Sequence, residues 1–332
     1  MAVKTTTRKA PRSTPPADYV KHGLGPLPDG SDGKALYLDL VKRAVVNILY
    51  EDVPSWIFDR TNKTIVAGTR FRLDKRVTGE DGPTAAHTMI GLKRLDNIQQ
   101  CLEEVLSNGV PGDVIETGVL AGGATIFMRA ILKANGDTTR RVFVCDSFVA
   151  QPTVAAPKIV SYALKAAASI DDRDWQRGFF RVLQSINPVK ALPDASDPSD
   201  ELVHYTMQIL KNGDRMAIPT RDTSLSGVRS NFARYGLLDE QVVFAKGYFS
   251  ETLPELDAEA FSLIRLDGDL YESTMDCLEN LYPKLSSGGF CIVDDYHELP
   301  DCRRAVEEYR NRHGIEEPIE AIDYHGVYWR KS

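Results

Sequence analysis

The chain has 332 residues, 42% hydrophobic and 26% charged, with a formal net charge of −7. That length suits one sizeable core with extensions. The acidic balance argues against a general nucleic-acid binder, which carries a basic face. Five cysteines (Cys101, Cys145, Cys277, Cys291, Cys302) form no CxxC pair, so neither a disulfide framework nor a zinc-finger pattern is read, and a reducing cytoplasm is expected. No apolar run reaches the roughly 20 residues of a membrane span. Lys4, Arg8, Lys9 and Arg12 precede no apolar stretch, so no secretory signal is read either.

Residues 1–33 read as a disordered or irregular arm, rich in Thr, Pro and basic residues over 5–16. Leu36, Leu40, Val41, Ala44 and Ile48 recur at helical spacing, which predicts an amphipathic helix over 34–49. Residues 51–85 mix Trp, Pro, Asn, Arg and Gly without a period and are expected to form a long, partly irregular segment. A helix over 91–107 ends at Asn108-Gly109, where glycine supplies the left-handed terminal residue. Residues 34–110 are expected to form a helical cap or lid on a core over 111–332.

In that core, short apolar runs at 113–117, 141–146, 242–245, 261–266 and 289–293 alternate with helical patterns at 124–134, 224–235, 273–285 and 301–312. The pattern predicts an α/β fold, a mostly parallel sheet with helices on both faces. Residues 319–322 and 327–330 read as a closing hairpin that adds one antiparallel strand. The stretch after Asp146 is far longer than a crossover needs. Residues 150–215 are read as an insertion over the carboxyl edge of the sheet, with helices at 159–168 and 175–186 and a Pro-rich loop at 188–198.

Two constellations carry chemistry. Glu116-Thr117-Gly118 through Gly122-Gly123 lies where a strand turns into a helix, so the backbone can approach a ligand and the helix presents free N–H groups. The spacing is GxxxGG rather than GxGxxG, which weakens a nicotinamide reading. Asp146 ends the next strand, within reach of a ribose diol. The plain alternative is a glycine turn that only packs helix on strand. The second constellation joins Asp267 and Asp269, at one strand end, to Asp294 and Asp295 at another. Neighbouring parallel strands would bring these carboxylates to one rim, where they repel and raise one another's pKa. A hard divalent cation such as Mg²⁺ relieves that repulsion; the alternative is that some simply cap the following helices. His297 follows the acidic pair and reads as a base, a ligand or a surface loop residue. His87 reads as structural or capping. His204, His313 and His325 show no partner at metal-ligand spacing. No GxSxG, HExxH or P-loop is present.

Beyond these, Tyr37-Leu38-Asp39-Leu40, Tyr50-Glu51-Asp52, Ala86 to Gly91, Glu116 to Arg129, Asp146-Ser147-Phe148, Asn231 to Leu237, Gly247 to Pro254, Asp267 to Thr274 and Asp294-Asp295-Tyr296 occur in one order. This set resembles the metal-dependent O-methyltransferases of the macrocin type over residues 35–148 and 218–330. The resemblance implies a Rossmann-like class I methyltransferase sheet and S-adenosylmethionine over Glu116 and Gly118, with Thr125 beside them. It further implies the ribose on Asp146 and Ser147, the adenine bordered by Tyr248, Phe249 and Ser250, and a flap through Met89. Asp267, Asp294 and Asp295 match the family's metal triad, with Asp267 or Asp269 as proton acceptor; His297 is a further catalytic candidate outside the family's pattern. A homodimer and a small-molecule acceptor, such as a natural-product hydroxyl or carboxyl, are implied; neither nucleic acid nor membrane is. Two departures lie near the expected substrate mouth: Val149-Ala150 opens the insertion where relatives carry a short Gly-Leu-Pro turn, and His297 stands where relatives carry glycine. The rival readings are a nicotinamide-dependent oxidoreductase and an inactive paralogue that only binds the cofactor.

Overall fold

The computed structural model describes residues 17–61, 64–148 and 221–332. The expected insertion at 150–215, with its helices and loop, lies outside the described residues, as do residues 1–16. Five parallel strands form the middle of the sheet: β3 (Asp113–Thr117), β4 (Val142–Asp146), β5 (Val242–Lys246), β6 (Phe261–Leu266) and β7 (Leu285–Val293). A closing hairpin of β8 (Glu320–Ala321) and β9 (Val327–Arg330) completes a seven-stranded sheet ordered β5-β4-β3-β6-β7-β9-β8 among the described residues. β9 runs antiparallel to β7, and every contact within β3 to β7 is parallel. The mostly parallel sheet with one antiparallel strand expected from the sequence is the one observed.

The strands are apolar throughout because both faces are covered. Val114, Val142, Val144, Leu263, Phe290 and Ile292 enter one hydrophobic cluster with helices α2 (Gly33–Val45), α4 (Gly91–Ser107), α5 (Gly123–Ala134) and α6 (Leu225–Arg234). Their alternates Ile115, Phe143, Cys145, Ile264, Cys291 and Val293 enter a second cluster with α8 (Tyr271–Leu281) and α9 (Pro300–His313). This period-two split between faces is the expected consequence of strand geometry. Helix α5 is buried from Gly123 to Leu132 because α2 covers its outer side. All five cysteines are buried and unpaired.

Local signals explain the helix starts. The Asp32 carboxylate accepts from Ala35 N at 2.8 Å, and the Ser224 hydroxyl accepts from Gly227 N at 3.1 Å. Gly109 has φ +62° just past α4, as its position predicts. Residues 51–85 are partly irregular, but sequence reading placed no element in them. They contain a two-stranded antiparallel pair, β1 (Trp56–Asp59) with β2 (Thr64–Ala67), and a short helix, α3 (Leu73–Arg76). Strands of four residues outside the main sheet are too short to set up a period. Residues 17–21 form α1 within the expected irregular arm. No helix among the described residues is long and apolar enough to cross a membrane.

Gly118 tests the tightest point of this framework. It has φ +80°, and a Cβ there would lie 1.9 Å from the Asp267 carbonyl oxygen, whereas Gly109 has open space around it. Gly118→Ala should therefore cost more than about 2 kcal/mol, and Gly109→Ala only about 1 kcal/mol. Urea unfolding of both variants checks this; equal losses would contradict the packing argument.

Candidate active site

The turn after β3 is built by hydrogen bonds from three elements. Gly118 N donates to Cys145 O at 2.9 Å, Gly122 N donates to Val119 O at 2.7 Å, and Asn231 Nδ2 of α6 donates to Ala121 O at 3.0 Å. Leu120, in this turn, has φ +52°; Phe148 (φ +48°) and Asp269 (φ +60°) stand just past β4 and β6. Non-glycine residues held in the left-handed region at three neighbouring strand ends mark a place where surrounding structure overrides local preference. The segment Ala86 to Ile90 lies against the same turn: Gly123 N donates to His87 O at 2.9 Å, so one N–H at the start of α5 is already used. His87 Nδ1 meets the Tyr235 hydroxyl at 3.0 Å, which gives it the structural role read from sequence. Burial lowers its pKa, helped by Arg234.

Of the residues expected to hold the cofactor, Asp146 and Thr125 bond to this turn. Asp146 accepts from Val119 N and Phe148 N, each at 2.9 Å, so its carboxylate fastens the turn to the end of β4. Glu116 and Thr125 are buried, Met89 is half-buried and accepts a weak contact from Arg221, and Tyr248 and Ser250 are exposed around half-buried Phe249.

The acid rim forms one residue past the strands. One oxygen each of Asp267, Asp294 and Asp295 lie within 4.8 Å of one another. Asp294 and Asp295 are buried, whereas Asp267 is partly and Asp269 largely open. Two buried arginines sit beneath. Arg265 Nη1 donates to Glu116 at 2.5 Å and to Asp267 at 3.0 Å, while Nη2 donates to Asp294 Oδ1. Arg94, from α4, donates to Asp294 Oδ2 and places its Nε 3.2 Å from Asp323. Burial alone would raise the Asp294 pKa, but Arg265 and Arg94 outweigh it and hold it below the usual range. Asp295 is pushed well up, by burial first and then by Asp269 and Asp267; Asp267 is raised by burial and by Asp294. Asp269 is lifted to about 6 by the crowding of protein around it, then by Glu298 and Asp294. Burial and mutual repulsion therefore favour the neutral forms of Asp267 and Asp295, the opposite of their effect at Asp294 once the arginines are counted.

The family profile described as Macrocin-O-methyltransferase (TylF) matches residues 34–174 and 186–331. The chain belongs to the macrocin O-methyltransferase family. It is accordingly an S-adenosylmethionine-dependent O-methyltransferase. Among its relatives is the 8-demethyl-8-(2,3-dimethoxy-alpha-L-rhamnosyl)-tetracenomycin-C 4'-O-methyltransferase of Streptomyces olivaceus, 45% identical over 91% of this chain and 94% of that one. Mycinamicin III 3''-O-methyltransferase of Micromonospora griseorubida is 43% identical, with 91% and 98% covered. Among solved structures, the O-methyltransferase NovP superposes with a TM-score of 0.64 at 38% identity, covering 90% of this chain and 99% of that one. The sheet is therefore the class I methyltransferase sheet, and neither the nicotinamide oxidoreductase nor the inactive paralogue is needed.

In this methyltransferase the structure brings Asp267, Asp294 and Asp295 together as expected, with Asp269 beside them. His297 is different: it is exposed, its ring edge-on to Tyr296 at 5.2 Å. The imidazole that enters the acid cluster is His325, which sequence spacing passed over. It is 3% exposed, its Nδ1 meets Glu298, and its Nε2 has no hydrogen-bond partner. Arg94 and Arg265 were also missed. Arg265 had a readable signal, a lone charge inside the apolar strand Phe-Ser-Leu-Ile-Arg-Leu.

Removing Arg265 leaves Glu116 and Asp294 buried with too few cations. Arg265→Met should lose about 3–5 kcal/mol in urea unfolding. The Glu116→Gln/Arg265→Met pair should lose less than the two single changes added together. An Arg265→Met variant within about 1 kcal/mol of the parent would show that the network does not hold the rim.

Proposed function

We propose that this methyltransferase methylates a hydroxyl or carboxyl oxygen of a natural product, with a divalent cation, Mg²⁺ in the first instance, held by Asp267, Asp294 and Asp295. The observation that carries this reading is the abutment of the glycine turn and the acid rim, with the Gly118 Cα closely packed against the Asp267 backbone. Relatives that methylate a rhamnosyl-tetracenomycin and mycinamicin III support a natural-product acceptor with a sugar hydroxyl.

The residues fit a hard cation. The donors are carboxylates, and Asp295 Oδ2 is buried with no hydrogen-bond partner. The two arginines use one site on each Asp294 oxygen, which leaves lone pairs on both. When bound, S-adenosylmethionine supplies an electrophilic sulfonium methyl, and a cation supplies positive charge beside the acceptor oxygen. The chain's residues do the rest. Gly118, the turn to Gly123 and Thr125 let the backbone lie close to the cofactor, Asp146 and Ser147 face its ribose, Tyr248, Phe249 and Ser250 border the adenine, and Met89 belongs to the flap over the cofactor. Glu116 supports the turn from below through Arg265. Asp269 accepts the acceptor's proton, since it is open at the mouth while Asp267 is tied to Arg265. Transfer is a direct displacement, so positioning contributes more than covalent catalysis. His297, at the surface, borders the acceptor's entry.

The five unpaired cysteines support the cytoplasm as its place. Leu36 and Leu40, a turn apart on α2, are 53% and 55% exposed, and with exposed Leu49, Tyr50 and Val53 they support a homodimer. Light scattering should give twice the 36.9 kDa chain mass, and Leu36→Glu/Leu40→Glu should return it to one chain. A dimer unchanged by that pair of substitutions moves the interface elsewhere.

The cation is tested at Asp295 rather than Asp294, because Asp294 also neutralises two arginines. Asp295→Asn should lower methyl transfer to deoxysugar glycosides more than about 100-fold, beyond what loss of a supporting residue costs. Its affinity for S-adenosylhomocysteine in calorimetry should stay within about threefold. Full activity in Asp295→Asn, or in chelator-treated enzyme, would refute the cation role; failure to bind S-adenosylhomocysteine would refute the cofactor site.

A further inference from the structure

Glu298 is one more carboxylate beside a rim already rich in them. Its N–H donates to Asp295 O at 3.2 Å, so it sits one turn beyond a proposed cation ligand, and its side chain is 28% exposed. Among the described residues it faces His325 on the turn between β8 and β9. That turn is tied to the Glu298 loop a second time, His297 N donating to His325 O at 2.9 Å. The turn is itself closed by hydrogen bonds, since Asp323 accepts from His325 N at 2.8 Å and from Gly326 N at 2.9 Å. A fixed imidazole thus places a carboxylate that like charges would otherwise drive outward; Glu298 acts electrostatically on both Asp269 and Asp295.

We infer that Glu298, seated by His325, is a positioning residue for the divalent cation, acting from outside the three ligating aspartates. The inference rests on the cation reading given above. Small divalent cations keep some of their water, and those water hydrogens need fixed acceptors around the ligands. Glu298 offers such an acceptor, held by its contact with His325. With Nδ1–H donated to Glu298, the buried Nε2 of His325 is left as a lone-pair acceptor with no hydrogen-bond partner among the described residues.

Titration of the full-length protein with Mn²⁺ alone, followed by calorimetry, tests this without any acceptor substrate. Glu298→Gln and His325→Leu should each weaken Mn²⁺ binding about tenfold, the loss typical of a residue that orients a metal site. His325→Gln keeps a donor toward Glu298 and should stay within about threefold of the parent. The double variant Glu298→Gln/His325→Leu should be no weaker than either single one, because both act through one carboxylate. Affinity for S-adenosylhomocysteine without metal should not change in any of them. Parent-like Mn²⁺ affinity in Glu298→Gln, or fully additive losses in the double variant, would overturn the inference while leaving the aspartate site intact. Absence of Mn²⁺ binding in the parent would remove both readings together.

Discussion

Parallel strands deliver their carboxyl ends side by side, and in this chain those ends carry acids. Two unit charges about 4 Å apart interact by about 4 kcal/mol at the effective dielectric of a protein surface. A domain's net stability is only about 5–15 kcal/mol. A rim of Asp267, Asp269, Asp294 and Asp295 could not be left unbalanced at that scale. Arg265 is the constraint that makes it tolerable, because one buried guanidinium touches Glu116, Asp267 and Asp294 at once. Its planar fork explains why an arginine stands there rather than a lysine, which offers a point charge.

Strand parity explains how Arg265 reaches all three. Glu116, Arg265 and Ile292 are in register across β3, β6 and β7, so they share a face of the sheet. Asp267 and Asp294 follow Arg265 and Ile292 by two residues and therefore project to the same side. Arg94 approaches from α4, which packs on that face. The glycine turn and the acid rim thus flank one charged network. Glu116 lies just before the turn and Asp294 at the rim, with the guanidinium between them.

How much of this was legible follows from the range of each signal. Apolar strands bounded by Asp or Gly are local patterns, and they gave the sheet and the convergence of Asp267, Asp294 and Asp295. The pairing of Arg94 with Asp294 spans 200 positions, and nothing in either neighbourhood announces it. Arg265 was readable in principle, since a charge in a strand buried on both faces must have a partner in the next strand. Asp146 shows a subtler limit. Its place at a strand end was right, but backbone N–H groups of the turn occupy much of its carboxylate, a local competition that spacing cannot weigh. The hairpin β1–β2 escaped because it is made outside the main sheet, where no long apolar run was needed.

The same reasoning accounts for which histidine enters the site. Sequence proximity favoured His297, two residues past Asp295, but the chain there turns to begin α9 and carries that ring to the surface. His325 is distant in sequence and arrives through topology. A parallel strand beside β7 would have placed its own carboxyl end at the rim. Because β9 is antiparallel, with Val327 opposite Val293, it begins at the rim, and the turn before it stands over Asp294. The turn leading into this strand, the one reversed against β7 among the described residues, therefore supplies Asp323 to Arg94 and His325 to Glu298. A feature that looks like a variation in strand direction is, in physical terms, how the C-terminus reaches the chemistry.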